Sequence, residues 1–192
     1  MSPAAAIALY AVYDISVTLL EVPSGYLSDR LGRKRTLVAA AVVGAAGSLL
    51  LALGDSFAVF ALGQCLIGAA SAFASGTDSA LLYESLAAED RAQDVEAQET
   101  RALQFSLSGF ALSALAGGAL ALWSLQATFF AAGVAMCWAI WIALRFTDVA
   151  PRTSQARGGQ WSAMRTALRK PVLLWIFGLS VMMYGFSHLP FV

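Results

Sequence analysis

Apolar residues come in long blocks along this chain, and polar residues gather between them. Six blocks, at about residues 4–27, 37–54, 57–82, 102–122, 126–144 and 171–192, are mostly apolar. A helix that crosses a bilayer needs roughly 20 such residues. The blocks at 37–54, 102–122 and 126–144 contain no Asp, Glu, Lys or Arg. They are too long for strands, and their Ala, Leu and Gly do not alternate as the strands of a membrane barrel do. A helix in hydrocarbon satisfies its own backbone polar groups. The pattern predicts an all-α polytopic membrane protein with six transmembrane helices.

Composition agrees. Hydrophobic residues make up 59% of the chain and charged residues 12%, against about 25% charged in an ordinary soluble domain. The net charge of zero gives no bulk attraction to nucleic acid. The first block is a poor secretory signal, because it lacks a basic flank, carries Asp14 and Glu21, and is too long.

The position of charge says more than its amount. All 12 Lys and Arg fall in three segments: Arg30 to Arg35, Arg91 to Arg101, and Arg145 to Lys170. The connections at Gly54-Asp55-Ser56 and Trp123-Ser124-Leu125-Gln126 have none. This alternation places the three basic segments in the cytoplasm by the positive-inside rule, and both chain ends outside. The short outer connections make their flanking helices antiparallel neighbours. The stretch 145–170, with Pro151, Gly158 and Gly159, reads as a linker between bundles. Within it Trp161, Met164 and Leu168 recur at helical spacing beside Arg165 and Arg169. They suit either a short amphipathic helix on the inner membrane surface or a solvated linker.

Residues 25–37 read GYLSDRLGRKRTL and hold five charges between two spans. Asp29 precedes the next helix and is expected to cap its positive end. Gly32 permits a tight reversal, and Gly25 is expected to admit a close backbone. Arg33, Lys34 and Arg35 set topology and suit anionic lipid headgroups.

This stretch resembles the G-x-L-a-D-r-x-G-r-k-x-x-l signature of major facilitator superfamily transporters, which joins the family's second and third helices on the cytoplasmic side. The resemblance implies that the chain matches helices two to seven of twelve. Residues 1–146 would form most of the N-terminal bundle, with five spans and the family's first helix missing. Residues 147–170 would be the cytoplasmic linker, and 171–192 the first helix of the C-terminal bundle. It also implies that Gly25, Asp29, Arg30, Gly32, Arg33 and Lys34 belong to a cytoplasmic gate. In the family this gate ties the two halves in the outward-facing state. Two family patterns are absent. Gln64 stands where many proton-coupled members have Arg, and Ser113-Ala114 stands where antiporters carry Gly-Pro. Both departures point away from a typical proton-coupled drug antiporter.

Charges inside spans are costly and mark function by default. Asp14 and Glu21, seven apart on one helix face, Asp78 in the cytoplasmic half of the third block, and Gln104 in the fourth are candidates for a substrate or proton pathway. His188, the single histidine, is a weaker one. Pro23 is a candidate kink in the first helix. Small residues recur every four at Ala40/Gly44/Ser48, Gly68/Ala72/Gly76 and Gly109/Ser113/Gly117, the pattern of closely packed membrane helices.

Cys65 and Cys137 read as small apolar residues, with no disulfide or zinc spacing. No phosphate loop or catalytic motif is present, so neither a cofactor, nor a metal, nor ATP-driven chemistry is expected, and the chain does not read as an enzyme. The expected function is secondary active transport of a small solute by alternating access in the plasma (inner) membrane, with protons as a candidate coupling ion. The competing reading is a truncated or half-size membrane protein. It would act as a scaffold, or pair with a second copy or a missing C-terminal half to make a pseudo-complete transporter.

Overall fold

The computed structural model describes residues 2–147 together with Trp175, Gly178 and Leu179. The sixth apolar block, the 147–170 linker with its amphipathic pattern, and His188 fall almost wholly outside the described residues. Among residues 2–147 six α-helices follow in order: α1 (Pro3–Leu31), α2 (Arg33–Leu53), α3 (Phe57–Ala74), α4 (Thr77–Ala88), α5 (Val95–Ala121) and α6 (Leu125–Arg145). A 3-10 turn, Ala92–Asp94, leads into α5. These helices belong to one compact unit, Met1–Pro151; Trp175, Gly178 and Leu179, all helical, belong to a second, Arg152–Val192.

Local sequence explains the helix ends. Ser2, Ser56 and Ser124 each precede a helix, and each side chain accepts a hydrogen bond from the backbone N–H three residues on, at 3.3, 3.4 and 3.4 Å. Such caps satisfy one of the four unpaired N–H groups at a helix start. Pro3 sits in the first turn, where a missing N–H costs nothing. The helix runs on through Pro23 without a break.

Among the described residues, five stretches are long and apolar enough to cross a membrane: Pro3–Leu31, Arg33–Leu53, Phe57–Ala88, Ala92–Ala121 and Leu125–Arg145. The third is not the single helix expected from residues 57–82. It breaks at Ser75-Gly76, where Gly76 has φ 71°. This left-handed conformation is open to glycine at little cost, and the chain restarts as α4 one residue later.

The core is built from small side chains. Ala40, Ala41, Ala52, Ala69 and Ala72 are buried, and the largest fully buried side chains among the described residues are Thr36, Ser24 and Ser28. Large apolar groups such as Phe105, Phe110 and Trp138 point outward. Water would penalise that arrangement, but lipid is as apolar as the side chains, so packing favours close backbone approach. The centre is α2, which packs against α3 and α6, while α1 packs against α3. A Cβ on Gly68 would lie 2.8 Å from Ser16 Cβ and from the Tyr13 carbonyl oxygen, so α1 and α3 meet there backbone to backbone.

The three expected small-residue ridges fare differently. Ala40, Gly44 and Ser48 are all buried, as are Gly68 and Ala72. Gly76 is not part of a ridge, because it is the exposed residue at which the helix breaks. Nor do Gly109, Ser113 and Gly117 form a packed ridge. No residue of α5 is buried, and near its connection to α6 Thr128 Cγ2 lies 3.7 Å from a Cβ placed on Gly117.

Candidate functional site

The signature stretch is almost entirely helical. Residues up to Leu31 complete α1, Arg33 begins α2, and Gly32 alone is the turn, with φ 93°. The expected tight reversal is therefore made at one glycine. Asp29 does not cap α2, whose N-cap is Gly32 with no side-chain partner. Asp29 lies in the last turn of α1, so its carboxylate reaches a side chain instead of the α2 backbone. Gly25 is exposed and a Cβ there would meet nothing within 4 Å. No described backbone comes close to it.

Arg33 organises the site. Its Nη1 lies 2.8 Å from Asp29 Oδ1 and donates to Ser28 Oγ at 2.9 Å. Its Nε and Nη2 both donate to Glu84 Oε1 at 3.1 Å. Glu84 belongs to α4, so one guanidinium ties the end of α1, the start of α2 and the middle of α4. Thr77, seven residues before Glu84 and on the same face of α4, completes the tie. Its hydroxyl lies 3.1 Å from buried Ser28 Oγ and 2.9 Å from the Phe73 carbonyl oxygen. One proton cannot serve both contacts. A donated Thr77 proton on Phe73 leaves Ser28 to donate to Thr77 while accepting from Arg33. The break at Gly76 is what releases α4 from the line of α3 and sets Thr77 and Glu84 in this position.

The two ion pairs carry different weight. Asp29 keeps 42% of its side chain exposed, and a pair this wet contributes at most about 1 kcal/mol. Arg33 and Glu84 are exposed by only 21% and 26%, and the forked contact holds the guanidinium in one orientation.

The other signature cations are placed differently. Arg30 is exposed and stacks over the Tyr26 ring, 4.8 Å from its centroid. Lys34 is half-buried and Arg35 exposed. The turn after α4 is an ion cluster of its own: Arg91 contacts Asp94 at 2.9 Å and Glu89 at 3.4 Å. The Asp94 hydrogen bond and charge, then Glu89, raise the Arg91 pKa above the usual arginine value.

The four expected pathway residues do not converge. Asp14 is half-buried and Glu21 exposed, both on α1. Asp78 is exposed in the first turn of α4, where its Oδ1 accepts from the Ser79 N–H at 2.8 Å. Gln104 is exposed on α5, beside Glu96, Thr100 and Arg101 in a shallow cleft. Asp78 does stand at the edge of a cavity of about 570 Å³ between α1, α2, α3 and α6. Most of its lining is apolar, with Ala40, Gly44, Ala70 and Met136 among the walls. Tyr13 and Ser71 bring polar groups to it, and the Tyr13 hydroxyl donates to Ser71 Oγ at 3.4 Å.

Sequence reasoning missed Ser28, Thr77, Glu84 and Tyr13. A signal existed for two of them. Thr77 and Glu84 have the same seven-residue spacing as Asp14 and Glu21, at the end of an apolar block.

Comparison with known proteins shows the family. The "Inner membrane transport protein YajR" of Escherichia coli (strain K12) is 42% identical over 57 residues, which is 30% of this chain and 13% of that protein. The chain thus matches a small part of that relative's length. No solved structure matches the chain. The profile described as "Major Facilitator Superfamily" matches residues 1–192. The chain belongs to the major facilitator superfamily, and it is a multi-pass integral membrane protein of a transporter family.

Proposed function

We propose that this chain is part of a secondary active transporter that carries a small solute across the plasma (inner) membrane by alternating access. The observation that carries the reading is the tie of α1, α2 and α4 through Arg33 at the signature turn. A transporter that rocks needs helix groups that move as rigid bodies. A guanidinium shared between Asp29 and Glu84 makes the end of α1, the start of α2 and the middle of α4 one such body. Its exposed side, with Asp29, is the surface that a second bundle would meet and leave.

In this reading residues 1–146 are most of the first bundle, residues 147–170 the inter-bundle linker and residues 171–192 the start of the second bundle. The solute pathway runs by Asp78, which lines the cavity, and Asp14 on α1, while Glu21 and Gln104 are separate, exposed candidates. Protons are the candidate coupling ion, because carboxylates held within a span take up and release them.

Flux of solutes of several chemical classes into proteoliposomes holding the complete gene product, with and without an imposed pH gradient, tests this. Gradient-driven uptake that Asp14→Asn abolishes is the expected result. An absence of flux for every class, or uptake by Asp14→Asn equal to the parent with the gradient imposed, contradicts it.

A further inference from the structure

The cations on the inner ends of the helices fall into two groups. Arg33 is held between Asp29 and Glu84, and Arg91 between Asp94 and Glu89. Arg101 makes no ion pair among the described residues, but it stands on α5 within five residues of Glu96 and Glu99. Arg30, Lys34, Arg35 and Arg145 make no ion pair among the described residues. These four stand at the joined ends of α1 and α2 and at the end of α6. Arg30 ends α1, Lys34 and Arg35 open α2, and Arg145 ends α6, which packs along α2. Leu37 and Phe146 line the same cavity, so the end of α6 lies level with the first turns of α2.

Two of the four are braced in the same way. Arg30 lies over Tyr26 at 4.8 Å, and Arg145 over Trp141 at 4.2 Å. In each pair the aromatic ring is four residues earlier in the helix, so it sits deeper towards the membrane and the guanidinium lies beyond it. Rings of this kind settle at the level of the headgroups. Stacking leaves the guanidinium edge, with its N–H donors, free for a planar or tetrahedral anion.

We infer that Arg30, Lys34, Arg35 and Arg145 form a docking surface for anionic phospholipid headgroups of the inner leaflet, on the α1–α2–α6 side of the bundle and not on the α4–α5 side. Basic residues at a membrane surface attract such lipids. The acids around Arg91 and Arg101 cancel that attraction on the other side. Arg33, which the sequence groups with the headgroup-binding residues, takes no part, because Glu84 and Asp29 occupy it. The inference rests on the inner placement of these helix ends, and it is independent of whether the chain moves a solute.

Native mass spectrometry of the full chain in detergent, with phosphatidylglycerol and phosphatidylcholine added in equal amounts, tests it. Each basic residue near an anionic surface is worth about fivefold in binding. The parent should therefore retain phosphatidylglycerol at least about tenfold over phosphatidylcholine, and Arg30→Gln/Lys34→Gln/Arg35→Gln/Arg145→Gln should cut that preference about tenfold or more. Arg91→Gln should keep it. Equal retention of the two lipids by the parent, or an equal loss in Arg91→Gln, overturns the proposal. Displacement of the lipid by millimolar inorganic phosphate also overturns it, because that marks a soluble-anion site. If the fourfold variant fails to insert, Tyr26→Leu/Trp141→Leu keeps every charge and decides. It should weaken phosphatidylglycerol retention about two- to threefold, and unchanged retention contradicts the proposal.

Discussion

The contact between α1 and α3 and the surface of α5 are made of the same kinds of residue, yet they are opposite environments. Both are rich in Ala, Gly and Ser. At Gly68 two backbones approach so closely that a single added carbon would collide with the Tyr13 carbonyl. At Gly109 an added carbon meets nothing within 4 Å, and α5 buries no residue. Small-residue spacing thus marks where a helix is able to pack. Whether it is packed depends on a neighbour that the spacing does not name. The inner turn adds a second contrast, because there the neighbour is specified by charge, through Arg33 and Glu84.

The largest expected effect comes from forcing side-chain volume into the tight contact. Gly68→Leu should destabilise the chain by about 3 kcal/mol or prevent its folding, since a carbonyl oxygen cannot turn aside as a side chain can. Thermal unfolding in detergent measures it. A variant as stable as the parent would break the contrast at its stronger side.

Next is Arg33→Ala. It removes the shared partner of Asp29 and Glu84 and leaves Glu84 half-buried without its cation. Buried pairs broken in this way lose about 3–5 kcal/mol. The remaining exposure of both groups lowers the expectation to about 1–3 kcal/mol. Rising salt should shrink the difference only slightly, because partly buried pairs are weakly screened.

Thr77→Val should cost about 1 kcal/mol, the usual net worth of one hydrogen bond. It leaves Ser28 with Arg33 as its remaining partner. The smallest effect should have the opposite sign. Gly109→Ala should stabilise by about 0.5–1 kcal/mol, because alanine favours a helix and no atom stands in its way. Gly68→Ala should destabilise. If both alanine variants moved stability in the same direction, the contrast between the two regions would fail.

Much of the fold was legible because bilayer helices announce themselves by length and by an absence of charge. The turn at Gly32 followed from charges crowded between two apolar blocks. The break at Gly76 was not legible. Ser75, Gly76 and Thr77 are ordinary members of a membrane helix, and only the φ of 71° distinguishes the middle one. The cap expected of Asp29 is absent for a related reason. Capping requires a non-helical residue at the helix start, and α1 runs on past Asp29 to Leu31. Glu84 was hidden among six acids of one segment, and its pairing with Arg33, 51 residues away, is a fact of packing alone.

The central claim is that the signature turn works through a charge partnership between α2 and α4, beyond setting topology. A double-mutant cycle with Arg33→Gln and Glu84→Gln, read by unfolding of the complete gene product in detergent, tests it most directly. A coupling of about 1–3 kcal/mol, with the double variant less impaired than the sum of the singles, is the predicted result. Strictly additive losses would contradict the claim and leave Arg33 as one more positive charge on the inner side.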